Sequence, residues 1–365
     1  MLSGLAALVI LLQRALRHSY PTMRWLSVNF VRPTQRRLGE LSARVPFSVA
    51  ELLIVVAVVG LLLYLLFCIE TVLHRGRLFR QLYRLILTLL CFVLLVYAGF
   101  CVLWGIFFYG DDFMAQSGLK AGAVSTEELQ TVTAFFAELL EETAGQVERD
   151  ETGACVTDRE SVLARSESLY AALEQDFPCL EGPPLRAKGV KLSRFLSYID
   201  FTGFFFPFTG EANVNTDFPP SLFAATVAHE LAHQRGVAKE QEANFVAVLA
   251  CLRNDDPDFT YSAALMAYSY LGNALAKADN AAWGEIYAGL PETVLRDFEV
   301  NRLYWQRFET PVQEVSNTVY ENFMYSYDQT LGLRSYGACV DLLVNYYYGT
   351  ALQYLNALQA REGNV

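Results

Sequence analysis

The sequence predicts a mainly α-helical protein: N-terminal transmembrane helices followed by a mostly helical domain with a small β element. Three observations predict it. Two long apolar runs precede residue 109, VAELLIVVAVVGLLLYLLF at 49–67 and LILTLLCFVLLVYAGFCVLWGIFF at 85–108. Each is close to the ~20 residues that a helix needs to cross a bilayer. Beyond them, apolar residues recur at helical spacing between Gly, Pro and capping residues. Only 198–215, YIDFTGFFFPFTGEANVN, combines aromatic content with the Gly and Pro punctuation of short strands. The chain is 53% hydrophobic, above the ~45–50% of ordinary soluble domains, and the excess lies near its start.

Residues 1–108 read as a membrane anchor. The first apolar run, about 2–16, would span only ~22 Å as a helix against a core of ~30 Å, and is a marginal first span. Residues 13–46 are rich in Arg (Arg14, Arg17, Arg24, Arg32, Arg36, Arg37, Arg44), and suit amphipathic helices at an anionic lipid surface. Between the two strong spans lie Arg75, Arg77, Arg80 and Arg84. A short basic loop normally stays in the cytoplasm, which places residues 109–365 outside the cell membrane. The Arg-rich 13–46 stretch argues the other way; the short loop carries more weight, because part of the longer stretch's charge is available to the lipid interface.

Residues 109–365 read as one further domain. Ser125 and Glu128 form a capping-box pattern ahead of a helix reaching about 147. Another helical pattern covers about 158–175. Pro and Gly mark 176–192 as loop. In 198–215 the expectation is one or two short strands, either buried or serving as an edge that pairs with a substrate backbone. Helices follow at about 221–235, 238–253, 260–277, 281–289, 291–309, 312–326 and 334–359. The anchor holds eleven Arg, no Lys and three acidic residues, Glu40, Glu51 and Glu70, while the whole chain has 39 acidic and 28 basic residues. The second part is therefore strongly acidic, and nucleic acid is excluded as a partner. Seven cysteines show no C-x-x-C pair. Cys155 and Cys179 would be able to pair in an oxidising compartment or remain free thiols.

The chemistry concentrates in HELAHQRGVAKEQEAN, His229 to Asn244. His229 and His233 are four apart, on one face of a helix, and can share one zinc ion. Glu230 then stands beside the metal as a base for water. The chain has four histidines, and both of those beyond residue 108 are in this motif. A third histidine ligand is thus excluded, and the third ligand is a carboxylate or, as the less favoured alternative, a Cys. Glu240 and Glu242 are the nearest. They point about 200° apart on a helix, so one alone faces the metal. Glu240 is chosen because Asn244 shares its face and is able to support a ligand histidine; Glu242 is the alternative. An oxyanion donor must come from Tyr, Arg or backbone N–H. Arg334 and Tyr336 are candidates, against a plain helix start. Glu211–Asn215 would offer backbone contacts to substrate, against a plain polar loop.

The pattern H-E-L-A-H…E-x-x-A-N resembles the gluzincin class of zinc peptidases and the E-x-x-A-N-x-F-A pattern of ImmA/IrrE-type metallopeptidases. With PFSVAELL, GFFFPFTGEANVN, TVAHELAHQRGVAKEQEANF and the SYG at 335–337, the chain is similar over nearly its whole length to an uncharacterised bacterial family of membrane-anchored proteins. The resemblance implies three N-terminal spans, so that residues 2–16 cross, and a zincin-like domain outside the membrane. It implies a zinc metallopeptidase that hydrolyses peptide bonds of a membrane or envelope protein through a Glu230-assisted, zinc-bound water. The metal ligands would be His229, His233 and Glu240 (or Glu242), and the partners the lipid bilayer and a protein or peptide substrate. The competing expectation is a non-catalytic membrane-anchored binding or assembly protein with a structural or vestigial zinc site.

Overall fold

A computed structural model describes residues 2–326 and 336–362. The chain forms two compact units, Met1–Asp111 with Phe206–Glu211, and Asp112–Phe205 with Ala212–Val365. In the first unit the helices are α1 (Leu2–Leu16), α2 (Tyr20–Leu26), α3 (Arg32–Ser42), α4 (Val49–Arg75) and α5 (Leu78–Leu103), with a π-helical turn over Ser27–Val31. Two of them, α4 and α5, are long and apolar enough to cross a membrane. Ser48 starts α4 by accepting the Glu51 amide, and Gly76 ends it at φ +59°, a left-handed stop that favours glycine. The expected basic loop is thus mostly helix, with only Gly76 and Arg77 between α4 and α5. The second long helix also starts earlier than its apolar run and stops at Leu103, where Trp104 leaves helical geometry. The 15-residue α1 packs along α5.

Residues 206–211 are the tip of a hairpin and belong to this first unit. Glu211 accepts the amides of Val49 at 3.0 Å and Ala50 at 2.7 Å, and the Thr209 hydroxyl at 2.7 Å. It thereby satisfies first-turn donors of α4 that have no intrahelical partner. The Gln35 amide donates to the carbonyls of both Leu103 and Pro207. Gly210, at φ +66°, meets Gly39 of α3 so closely that a Cβ would lie 2.5 Å from its nitrogen. The Phe208 ring covers Gly99 of α5 in the same way.

The second unit contains α6 (Phe113–Ser117), α7 (Thr126–Ala144), α8 (Arg159–Arg165), α9 (Leu173–Asp176), β1 (Lys188–Val190), α10 (Ser193–Tyr198), β2 (Gly203–Phe206) and β3 (Glu211–Asn215). Then come α11 (Phe223–Gln234), α12 (Glu240–Leu252), α13 (Pro257–Ala278), α14 (Asn280–Ala288), α15 (Glu292–Gln306), α16 (Pro311–Ser326) and α17 (Tyr336–Glu362). The fold is mainly α with a small sheet, as the sequence predicts. The capping box of Ser125 and Glu128 opens α7. The pattern at 158–175 is broken: α8 gives way to a 3-10 turn at Ser166–Ser168 before α9. Helix α13 runs through the core against α7, α11, α12, α14 and α17. Fully buried Phe136, Phe223, Phe245, Phe259 and Tyr261 fill the spaces between these helices, and each such side chain contributes ~1.5–3 kcal/mol through removal of apolar surface from water.

The sheet order is β1-β3-β2, with β1 parallel to β3 in the register Lys188↔Asn213, Gly189↔Val214 and Val190↔Asn215. All five residues of β3 are buried. Its polar letters are therefore neither a surface loop nor a free edge for substrate, which corrects both expectations for Glu211–Asn215. The reason is internal pairing: the Asn215 amide donates to Ser197 Oγ at 3.0 Å and to the Phe201 carbonyl at 2.9 Å. The edge strands are β1 and β2. No disulfide joins Cys155 to Cys179, and burial pushes the Cys155 thiol up to about 11.

Candidate metal centre

The centre is built by α11 and α12. Helix α11 is rich in alanine, with Ala224, Ala225, Ala228 and Ala232 all buried, and α12 adds buried Ala243 and Ala247; small side chains let the two helices approach closely. Gly236 at φ +87° ends α11. The turn closes with the Val237 amide donating to the Ala232 carbonyl at 3.1 Å. Tyr170 donates to the Ala228 carbonyl at 2.7 Å, and Arg235 lies over the Tyr170 ring at 4.2 Å while pairing with Glu174 at 3.1 Å. This clamp fixes the end of α11 that carries the histidines.

His229, His233 and Glu240 converge. The two imidazoles lie 3.1 Å apart, Nε2 to Nε2, and Glu240 Oε2 lies 3.2 Å from His229 and 3.5 Å from His233. Two ligand atoms each ~2.05 Å from a tetrahedral zinc are separated by ~3.3 Å. The three edges of this triangle bracket that value, so the residues fit the metal. Among the described residues, these three form the group able to hold one. His233 presents Nε2 because its other ring nitrogen meets the Val237 carbonyl at 2.7 Å, the outer contact that fixes an imidazole ligand. The sequence points to Asn244 for such a contact. The left-handed turn at Gly236 brings Val237 back over the ring instead.

Charge in the centre is tightly coupled. Burial opposes charge on Glu240, but the two imidazoles outweigh it and hold its carboxyl well below the usual range. Burial likewise disfavours the His233 imidazolium, and Glu240 overrides it, lifting the ring to about 9. Glu242 takes a different path. It is buried away from the histidines, where it accepts the Phe113 amide of the first turn of α6 at 2.9 Å, beside the Lys239–Asp112 ion pair; Asp112 itself caps α6. Burial pushes it up to about 7, with Asp112 adding to the rise. The structure therefore groups Glu240, not Glu242, with the histidines.

Glu230 is 3% exposed, and its Oε2 is buried with no hydrogen-bond partner among the described residues. Burial pushes its carboxyl up to about 7 while the histidines pull it down. The side chain lies against Gly203 of β2, where an added Cβ would sit 2.6 Å from Oε1 and 2.9 Å from the Asn213 carbonyl. Gly203 thus clears the space that Glu230 occupies, a role its strand position alone does not reveal. The other residue missed from sequence is Tyr320 of α16, whose phenol donates to Glu240 Oε1 at 2.7 Å. Nothing among 20 tyrosines singles it out. Arg334 lies outside the described residues, as does the side chain of Tyr336.

Comparison with curated proteins and with solved structures returns no match to either. One family model does match, over residues 27–344. That span runs from the helices before α4 into α17 and takes in every residue of the centre, so the chain belongs to the family described as protein of unknown function DUF3810.

Proposed function

We propose that this protein is a membrane-anchored zinc-dependent peptidase acting on a membrane or envelope protein. The observation that carries the reading is the triangle of His229, His233 and Glu240, with the edges of a tetrahedral zinc site and a buried carboxylate next to it in sequence. Zinc, when bound, would polarise the scissile carbonyl and acidify water. Glu230 takes a proton from the attacking water as its oxygen bonds to the carbonyl carbon. It returns that proton to the departing amine as the C–N bond breaks. A carboxyl raised by burial suits this two-way transfer. The edge strand β2, beside Glu230, is suited to pair with an extended substrate backbone. The two long apolar helices supply the anchor, and the basic turn between them favours an extracytoplasmic location for the chain beyond α5.

The test uses the full chain in detergent, with zinc per molecule measured by elemental analysis and hydrolysis followed on a mixture of quenched fluorescent peptides. The expected result is one zinc in the parent and in Glu230→Gln, none in His229→Ala, and hydrolysis by the parent alone. The Glu230→Gln loss should be about 10²–10⁴-fold, the usual contribution of a general base. A zinc-loaded parent that hydrolyses no peptide, or a Glu230→Gln protein of undiminished rate, would sink the peptidase reading.

A further inference from the structure

We infer that Tyr320 is a positioning residue for the metal: its phenol holds Oε1 of Glu240, so that the carboxylate meets the ion through Oε2 alone. The inference rests on the zinc reading and concerns a group that neither α11 nor α12 supplies. The two oxygens of Glu240 are divided between two tasks. Oε2 faces both imidazoles at 3.2 and 3.5 Å, while Oε1 accepts from Tyr320 at 2.7 Å. A carboxylate has acceptor capacity on both oxygens and is able to bind a cation through one or both. A phenol, protonated over the whole physiological range, occupies one of them and leaves the other.

The phenol is aimed by a seat of its own. Along one face of α16, Ser316 donates to the Ile199 carbonyl at 3.0 Å and Asn317 to Asp200 Oδ2 at 3.1 Å. The Tyr320 ring meets Phe201 edge-on at 5.7 Å. Asp200 is the one non-glycine with positive φ among the described residues, at 64°, a conformation that persists where its surroundings hold it. The adjoining stripe of α16, Val312, Val315 and Val319, is exposed. These valines therefore do not set the orientation of the helix; the contacts around Tyr320, the ring on Phe201 among them, do. Two residues past Phe201, the same segment reaches Gly203 and Glu230. One short stretch, 199–203, thus supports both the partner of the ligand and the space for the base.

The experiment measures zinc affinity of the full chain by competition with a chromophoric chelator, and the visible spectrum after loading with Co²⁺ alone. Tyr320→Phe is expected to bind one zinc about 10–100-fold more weakly, the range for outer partners of metal ligands. Its Co²⁺ bands should weaken as Oε1 joins the coordination sphere, while thermal stability without metal stays unchanged. Asn317→Ala keeps the phenol and loosens its seat, and should weaken zinc by less than about tenfold; it serves if Tyr320→Phe fails to fold. Unchanged affinity and an unchanged Co²⁺ spectrum overturn the inference, even with hydrolysis reduced, since Tyr320 would then act on substrate alone. A parent that takes up neither metal overturns the zinc reading as well.

Discussion

Two regions meet at Glu240, and they are held in opposite ways. The α11–α12 pair is almost wholly buried, with Phe223, Leu231, Phe245 and Val248 at or near zero exposure. Helix α16 shows solvent three valines, two of them 63% exposed, and is seated by a few polar contacts. The first region is rigid because of what it excludes from water; the second is oriented by what it touches. Removing a ligand from the first should destroy the centre, whereas changes in the second should tune it.

The largest effect should come from Glu240→Ala, which removes a proposed ligand and leaves Tyr320 without its acceptor. Zinc affinity is expected to fall by more than about 100-fold, beyond the range for outer partners. Glu242→Ala, two residues away, should leave affinity unchanged and cost about 1–2 kcal/mol of stability through the start of α6. A metal titration that reversed this order would mean the wrong carboxylate faces the metal. Gly203→Ala comes next. A methyl group there collides with Glu230, and hydrolysis should drop about tenfold or more, as expected for a base displaced by ~1 Å, with one zinc retained. Zinc lost together with activity would show β2 to be supporting the ligands rather than the base. The smallest effect belongs to Val315→Ser on the outer face of α16. It should change stability by no more than ~0.5 kcal/mol in a thermal melt, the range for exposed sites. A larger loss would mean that this face is covered, and that α16 is held as α11 is.

The same contrast explains how much is readable from the sequence. His229 and His233 are legible because a helix puts positions four apart on one face, and Gly236 because a left-handed stop demands it. Ser125 and Glu128 announce α7 by a local rule. Helix geometry tells that only one of Glu240 and Glu242 faces the histidines, not which; support from Asn244, the ground for choosing Glu240 in the sequence, is not the contact the structure uses. Tyr320 is not legible. It lies far from Glu240 in sequence, on a helix whose orientation comes from contacts with 199–201, and no local pattern encodes such a meeting. Polar letters mislead at Glu211–Asn215, because a central strand buries Asn and Glu when partners are supplied from distant segments. The second apolar helix is displaced for a related reason: hydropathy marks which residues suit lipid, not where capping and turn geometry begin and end a helix.

The hairpin tip has a practical bearing on how the protein can be divided. The chain passes between its two units three times, after Asp111, after Phe205 and after Glu211. A truncated chain that begins at 112 severs only the first of these passages. It would carry Phe208 without its cover on Gly99, and a Glu211 carboxylate stripped of the amides of Val49 and Ala50. A soluble version calls for re-joining β2 to β3 through a two-residue turn such as Asn-Gly in place of 206–211. By the same topology, a single proteolytic cut after α5 does not separate the chain segments of the two units, because residues 206–211 of the first unit stay covalently joined to the second at both ends.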